Sequence, residues 1–172
     1  LLTRSFPNFE IKAEDRRQDS QRDDFDFHLP MGSLHKYFIS EISDNTKPDA
    51  FLVPDPVRIK FWRKRLETLG NGPFIGVSWK SANMSHKRLP NYAQISDLLP
   101  IFTMPGMTFI NLQYIDFLDD INEIKNEFGV TIHNFDDLDH YNDLEDVAAL
   151  CAALDIVVST KITVPLISAG VG

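Results

Sequence analysis

From residue 73 onward, short unbroken apolar runs alternate with stretches whose apolar positions recur every three or four residues. The runs have strand length and the other stretches have a helical period. "PFIGVSW" (73–79) carries no polar alternation, which predicts a strand buried on both faces, as in a parallel sheet. "NYAQISDLLPIFT" (91–103) reads as a helix that Pro100 distorts or stops. "PGMTFINLQY" (105–114) turns at Pro105-Gly106 and becomes a strand. "DFLDDINEIKNEFG" (116–129) is a helix closed by Gly129, "VTIHNF" (130–135) a strand, and "DDLDHYN" (136–142) an acidic loop. In 143–170 the pattern passes from helix to strand to the start of another helix. Asn142 or Asp143 can cap the first of these helices, and Leu144, Val147, Ala148, Cys151 and Leu154 form its apolar face. Four strand–helix alternations predict an α/β fold with an open parallel sheet flanked by helices.

Upstream the pattern is weaker. Residues 1–25 are polar, and the mixed charge run "EDRRQDSQRDD" reads as an exposed loop. "FDFHLPMGSLHKYF" (25–38) reads as an extended piece leading into a turn or helix, and "SDNTKPDA" as a loop. In "FLVPDPVRIKFWRKRLETLGNG" (51–72) an extended start breaks at Pro54 and Pro56. A helix follows, with Phe61, Trp62, Arg65, Leu66 and Leu69 at helical spacing and Gly70 with Gly72 ending it. Its position suggests a linker helix between two units.

Charge and composition narrow the function classes. The net charge of −8 argues against nonspecific nucleic-acid binding, which needs a basic surface. No apolar run has the length of a membrane span, so a membrane partner is not expected. A single cysteine, Cys151, excludes an internal disulfide and fits a reducing, cytoplasmic compartment. Its place on a helix face reads as a small buried hydrophobe. The chain starts without Met and stops inside an apolar stretch, which leads us to expect a fragment of a longer protein. An edge strand left open in such a sheet would invite a homodimer.

Two loops hold candidate chemistry. "SWKSANMSHKRLP" (78–90) carries Lys80, Lys87 and Arg88 without an acid, and follows the first strand. "STKIT" (159–163) joins the last strand to a helix, with Thr163 as N-cap and Pro165 in the first turn. Helix starts have unpaired N–H groups and partial positive charge, so the hydroxyls of Ser159, Thr160 and Thr163 with Lys161 suit a phosphate. In a parallel α/β sheet both loops lie on one edge, where ligands bind. Neither GxGxxG nor a P-loop is present. "HNFDDLDH" gathers His133, Asp136, Asp137, Asp139 and His140; an acidic loop capping the next helix outweighs a metal site there, and no metal is expected. His86 reads more simply as a solvated loop residue than as a base or phosphate donor. Trp79 reads more simply as core than as a stacking platform.

"IGVSWKSANMSHKR", "LLPIFTMPGMTFINLQY" and "DLEDVAALCAALDIVVSTKITVPLISAGVG", in that order, resemble the C-terminal half of two-Rossmann (GT-B type) glycosyltransferases. The likeness is to the heptosyltransferase-like family and its relatives attached to tetratricopeptide repeats. "DFHLPMGSL" resembles a segment near the end of their first domain, and "PDPVRIKFWRKRLETLG" resembles their interdomain linker. The resemblance implies a remnant of a preceding Rossmann-like domain over 1–54, a linker helix over 55–72, and a truncated nucleotide-sugar-binding Rossmann-like domain over 73–172. It implies a sugar-nucleotide donor as substrate, an unknown acceptor and no further cofactor. Ser78, Lys80, His86, Lys87 and Arg88 would lie at the donor phosphates, Gln113 and Tyr114 near the nucleotide, and Ser159, Thr160, Lys161 and Thr163 at the phosphate-cradling helix start. The chain departs from these relatives at Lys161-Ile162-Thr163, where they commonly carry Asp-Thr-Ser. It also departs at Leu166, where a His often stands, at Ser81 in place of Gly, and at His35 in place of Pro. The Lys161-Ile162 departure favours the alternative, a noncatalytic interaction domain derived from the same fold, whereas the retained basic loop favours the glycosyltransferase.

Overall fold

The computed structural model describes residues 1–12, 26, 27, 29, 30, 33, 35–38, 41, 49–82, 85, 86 and 89–172. The charge run of 14–24, residues 28, 31, 32 and 34 of the "DFHLPMGSL" segment and the "SDNTK" loop lie outside the described residues. Two four-residue helices come first, α1 (Leu2–Ser5) and α2 (His35–Phe38). α3 (Pro56–Glu67) starts where the Asp55 carboxylate accepts the Val57 N–H at 2.8 Å and Pro56 supplies a fitting φ.

Four strands follow: β1 (Phe74–Ser78), β2 (Thr108–Asn111), β3 (Ile132–His133) and β4 (Ile156–Ser159). All pair in parallel, in the order β3-β2-β1-β4. The fold is α/β and Rossmann-like. β1 is central and all five of its residues are buried, as its unbroken apolar run predicts. Gly76 is required there. A Cβ on it would stand 2.5 Å from Leu112 Cδ1 and 2.6 Å from Leu154 Cδ1.

Helices cover both faces. α4 (Leu99–Phe102) and α5 (Leu118–Phe128) lie on one, where Ile75, Val77, Phe102, Phe109 and Ile124 pack together. α3, α6 (Leu144–Ala153) and α7 (Thr163–Val171) lie on the other, around Trp62, Leu66, Phe74, Leu150 and Ile167. The crossover through α6 carries the chain from β3 past β2 and β1 to β4. The direction of strand addition therefore reverses between β1 and β4.

Several expectations need correction. Residues 91–103 are not one helix: 3₁₀ turns at Leu89–Asn91 and Ile95–Leu98 precede α4. Pro100 sits in the first turn of α4, so it starts that helix rather than stopping one; its missing N–H costs nothing there. α6 is buried on more than its expected face, because it is wedged between α3 and α7. Ala149, Leu150 and Ala153 are buried with Val147, Ala148 and Cys151, while Leu144 is exposed. Thr163 is the first residue of α7, and Ile162 is its N-cap without a side-chain hydrogen bond. The helix expected to link two units shares the sheet's core through Trp62 and Leu66. Asp155 joins it to β1 and β4, accepting from Phe74 N at 2.7 Å and from Arg63 at 3.2 Å. Among the described residues, no helix is long and apolar enough to cross a membrane.

Gly76→Ala presses a methyl group against the Leu112 and Leu154 side chains at the sheet centre, and both must shift. It should lower stability by about 1–3 kcal/mol, read as a fall in the urea midpoint with an unchanged slope.

Candidate functional site

The carboxyl ends of the four strands carry the polar residues that the sequence singles out. After β1 the chain continues as Trp79, Lys80, Ser81 and Ala82, held by a side chain from beyond β2. Gln113 is fully buried. Its Oε1 accepts from the N–H groups of Trp79 and Lys80, each at 3.1 Å, and its Nε2 donates to the carbonyls of Lys80 (2.7 Å) and Ile115 (3.3 Å). All of its hydrogen-bonding capacity goes to backbone. Asn111, also fully buried, bonds both backbone groups of Gln113 and reaches Asn134 Oδ1 at 2.9 Å. The Tyr114 hydroxyl accepts from Ala82 N at 3.0 Å and pairs with Ser81 Oγ at 2.7 Å.

The loop after β4 is sewn to the same backbone. Ser159 Oγ donates to its neighbour's carbonyl at Thr160, so the 2.6 Å bond between Ser78 and Ser159 is donated by Ser78. Thr160 Oγ1 donates to Trp79 O at 3.0 Å. Ser78, Ser159 and Thr160, expected at the donor phosphates, and Gln113, expected near the nucleotide, have side chains that hold the two loops together. Lys80, also expected at the donor phosphates, is paired with a carboxylate. Its ammonium lies 2.7 Å from Asp120 Oδ2, which also accepts Trp79 Nε1 at 2.6 Å. Lys161 and His86 are exposed. Lys87 and Arg88 lie outside the described residues.

A cavity of about 330 Å³ opens beside the start of α7, lined by Tyr114, His140, Tyr141, Leu144, Thr163 and Val164 among others. The Tyr114 and Tyr141 rings stand 5.7 Å apart at 39°. Ile162 does not cap α7, so the first N–H groups of the helix have no side-chain partner at the N-cap among the described residues. Tyr141 and Asp120 carried no sequence signal: one lies in an acidic loop and the other in a helix turn, and only the fold brings them to this edge.

The side chains of the acidic loop engage separate partners. Asp137 forms a two-bond pair with Arg65 at 2.7 and 2.9 Å, and Asp139 accepts from the N–H groups of Tyr141 and Asn142. No group of three or more potential ligands gathers among the described residues. His140 Nε2–H donates to Asn111 O at 3.1 Å. Burial holds the imidazoles of His140 and His133 below the ordinary histidine range. Burial also pushes the Cys151 thiol up to about 12, which leaves it no nucleophilic role near neutral pH.

Protein FlbA of Caulobacter vibrioides (strain ATCC 19089 / CIP 103742 / CB 15) is 35% identical to the chain over 169 residues. The match covers 92% of this chain and 28% of that protein, so the chain spans little more than a quarter of its relative's length. No protein-family model matches the chain. No solved structure matches it.

Gln113→Leu keeps the volume and removes the amide. Each backbone group left dry costs about 1–3 kcal/mol, so a loss of at least about 2 kcal/mol is expected in urea unfolding. Acid should also weaken the fold. The unfolded chain protonates His133 and His140 more readily than the folded one, so it takes up more protons as pH falls through the ordinary value of 6.5. Stability is complete above that value and declines below it, by at most about 1.4 kcal/mol per pH unit for each histidine. Urea midpoints compared between neutral and mildly acid buffer would read the decline, and His133→Asn should flatten it.

Proposed function

We propose that the chain is the donor-binding unit of a GT-B type glycosyltransferase and holds a sugar nucleotide at the carboxyl edge of its sheet. One observation carries this reading: the tyrosine-lined cavity abuts the uncapped start of α7. A nucleobase suits the paired tyrosine rings, and a diphosphate suits free helix N–H groups. Lys161, exposed just ahead of α7, adds a cation where negative charge develops on a departing diphosphate. In this reading the acceptor site and the catalytic base come from another part of a longer protein. The order of motifs shared with the heptosyltransferase-like and tetratricopeptide-repeat-linked enzymes points the same way.

A second reading, a noncatalytic interaction domain built on the same fold, has its own support. The Lys80 ammonium is neutralised by Asp120, and the hydroxyls of Ser78, Ser159 and Thr160 serve the loops rather than a ligand.

Calorimetric titration of the chain with UDP, GDP, ADP and CMP separates the two. Saturable binding of one nucleotide is expected, weakened about tenfold by Lys161→Ala, which corresponds to about 1.4 kcal/mol. A comparable loss is expected from Tyr141→Ala. Silence from all four nucleotides would leave the interaction domain as the better account.

A further inference from the structure

The five cations of α3 divide by residue type. All three arginines turn to carboxylates of the chain: Arg58 lies 2.6 Å from Asp146, Arg63 lies 3.2 Å from Asp155, and Arg65 holds Asp137 by two bonds. Glu67, the acid of the helix, faces Arg63 at 3.6 Å. Lys60 and Lys64 are exposed and form no ion pair among the described residues. The same outer side carries apolar surface, with Val57 73% and Phe61 49% exposed. We propose that this side of α3 docks an acidic amphipathic helix of a partner protein.

The spacing 57, 60, 61, 64 puts the four residues on one face of the helix, over about 10 Å of its axis. They form two rows, each four residues apart: Val57 with Phe61, and Lys60 with Lys64. A surface helix ordinarily keeps its outward side polar. Here the inward side is already complete, because Trp62 and Leu66 lie in the core and α6 packs along the helix. Packing against the core thus leaves Val57 and half of Phe61 open to solvent. The Phe61 ring is also held in place. Trp62 meets it at 5.3 Å and 76°, and the Arg65 guanidinium stands 5.4 Å from its centre. A ring fixed before binding loses little freedom on contact, which suits it as an anchor.

Charge selects the partner. Two lysines are few to hold a nucleic acid or an anionic membrane against a net charge of −8. They match two glutamates one turn apart on a facing helix, with apolar side chains between the charges meeting Val57 and Phe61. An acidic partner is repelled by the rest of an acidic chain, so the lysines also fix where it lands. The strip borders neither the cavity beside α7 nor a second one, of about 450 Å³, between residues 89–96 and α5. It does not depend on the nucleotide reading.

The test uses a fluorescent helical peptide of about fifteen residues, with leucines along one face and glutamates flanking them. Its fluorescence anisotropy is followed as the chain is added. A second peptide carries lysine at each glutamate position. Saturable binding of the acidic peptide is expected. Lys60→Glu and Lys64→Glu should each weaken it at least threefold, and together tenfold or more, while the double variant gains affinity for the basic peptide. Both lysines are exposed and without ion pairs among the described residues, so these variants test the surface without risk to the fold. Lys125→Glu, an equal change of charge on α5 over the other face of the sheet, should leave binding unchanged. The proposal is overturned if the acidic peptide does not bind, if the basic peptide binds the unaltered chain as tightly, or if Lys125→Glu acts as strongly as the α3 variants. It also falls if phosphatidylglycerol vesicles or a second copy of the chain bind through Lys60 and Lys64 and the peptide does not.

Discussion

Where β1 and β2 end, the Gln113 side-chain amide takes over the pairing that the backbones abandon. The last main-chain bond on this side runs from Leu112 N to Val77 O at 2.9 Å. Beyond it, one amide group supplies the acceptor and donor that the chain leaving β1 needs at Trp79 and Lys80. Because the Gln113 side chain is fully buried, its bonds are both stronger and more costly to lose than they would be in water. The course of the β1 loop follows from it: Trp79 directed at Asp120, Lys80 beside the same carboxylate, Ser81 and Ala82 against Tyr114.

That arrangement sorts the polar residues of the edge into two kinds. One kind sews loops to each other, and its hydrogen bonds run between β1 and β4 through Ser78, Ser159 and Thr160. This joint lies where the strand order reverses, the place at which the loops of a doubly wound sheet diverge and open a crevice. Here hydroxyls close that crevice. The second kind borders two cavities to either side of it, one over each face of the sheet. Their characters differ. The cavity beside α7 is aromatic and meets a helix start, whereas the one beside α5 carries a neutralised lysine and a second carboxylate.

The acidic loop shows how proximity in sequence misleads about chemistry. His133, Asp136, Asp137, Asp139 and His140 are crowded along the chain, but the last four face different neighbours. Asp136 accepts from Asn134, Asp137 pairs with Arg65 of α3, Asp139 holds the turn at Tyr141 and Asn142, and His140 bonds the end of β2. A loop that must leave one strand and begin a long crossover has many backbone N–H groups to satisfy, and short acidic side chains do that well.

The alternation of strand and helix, the burial of β1 on both faces, the Asp143 cap of α6 and the closure of α5 at Gly129 were all determined by local sequence. They follow from periodicity, capping and backbone permissiveness, which act within one or two turns of chain. Tertiary structure decided the rest. It placed β4 beside β1 and wedged α6 between α3 and α7, so that Ala149 and Leu150 are buried off the face their spacing predicts. It also turned Ser78, Ser159, Thr160 and Gln113 inward. A side chain's hydrogen-bonding groups are written in the sequence, but their partners are not. Gln113 finds its partners 33 and 34 residues away and Ser78 finds its own at 81, and such distances are set only when the sheet assembles.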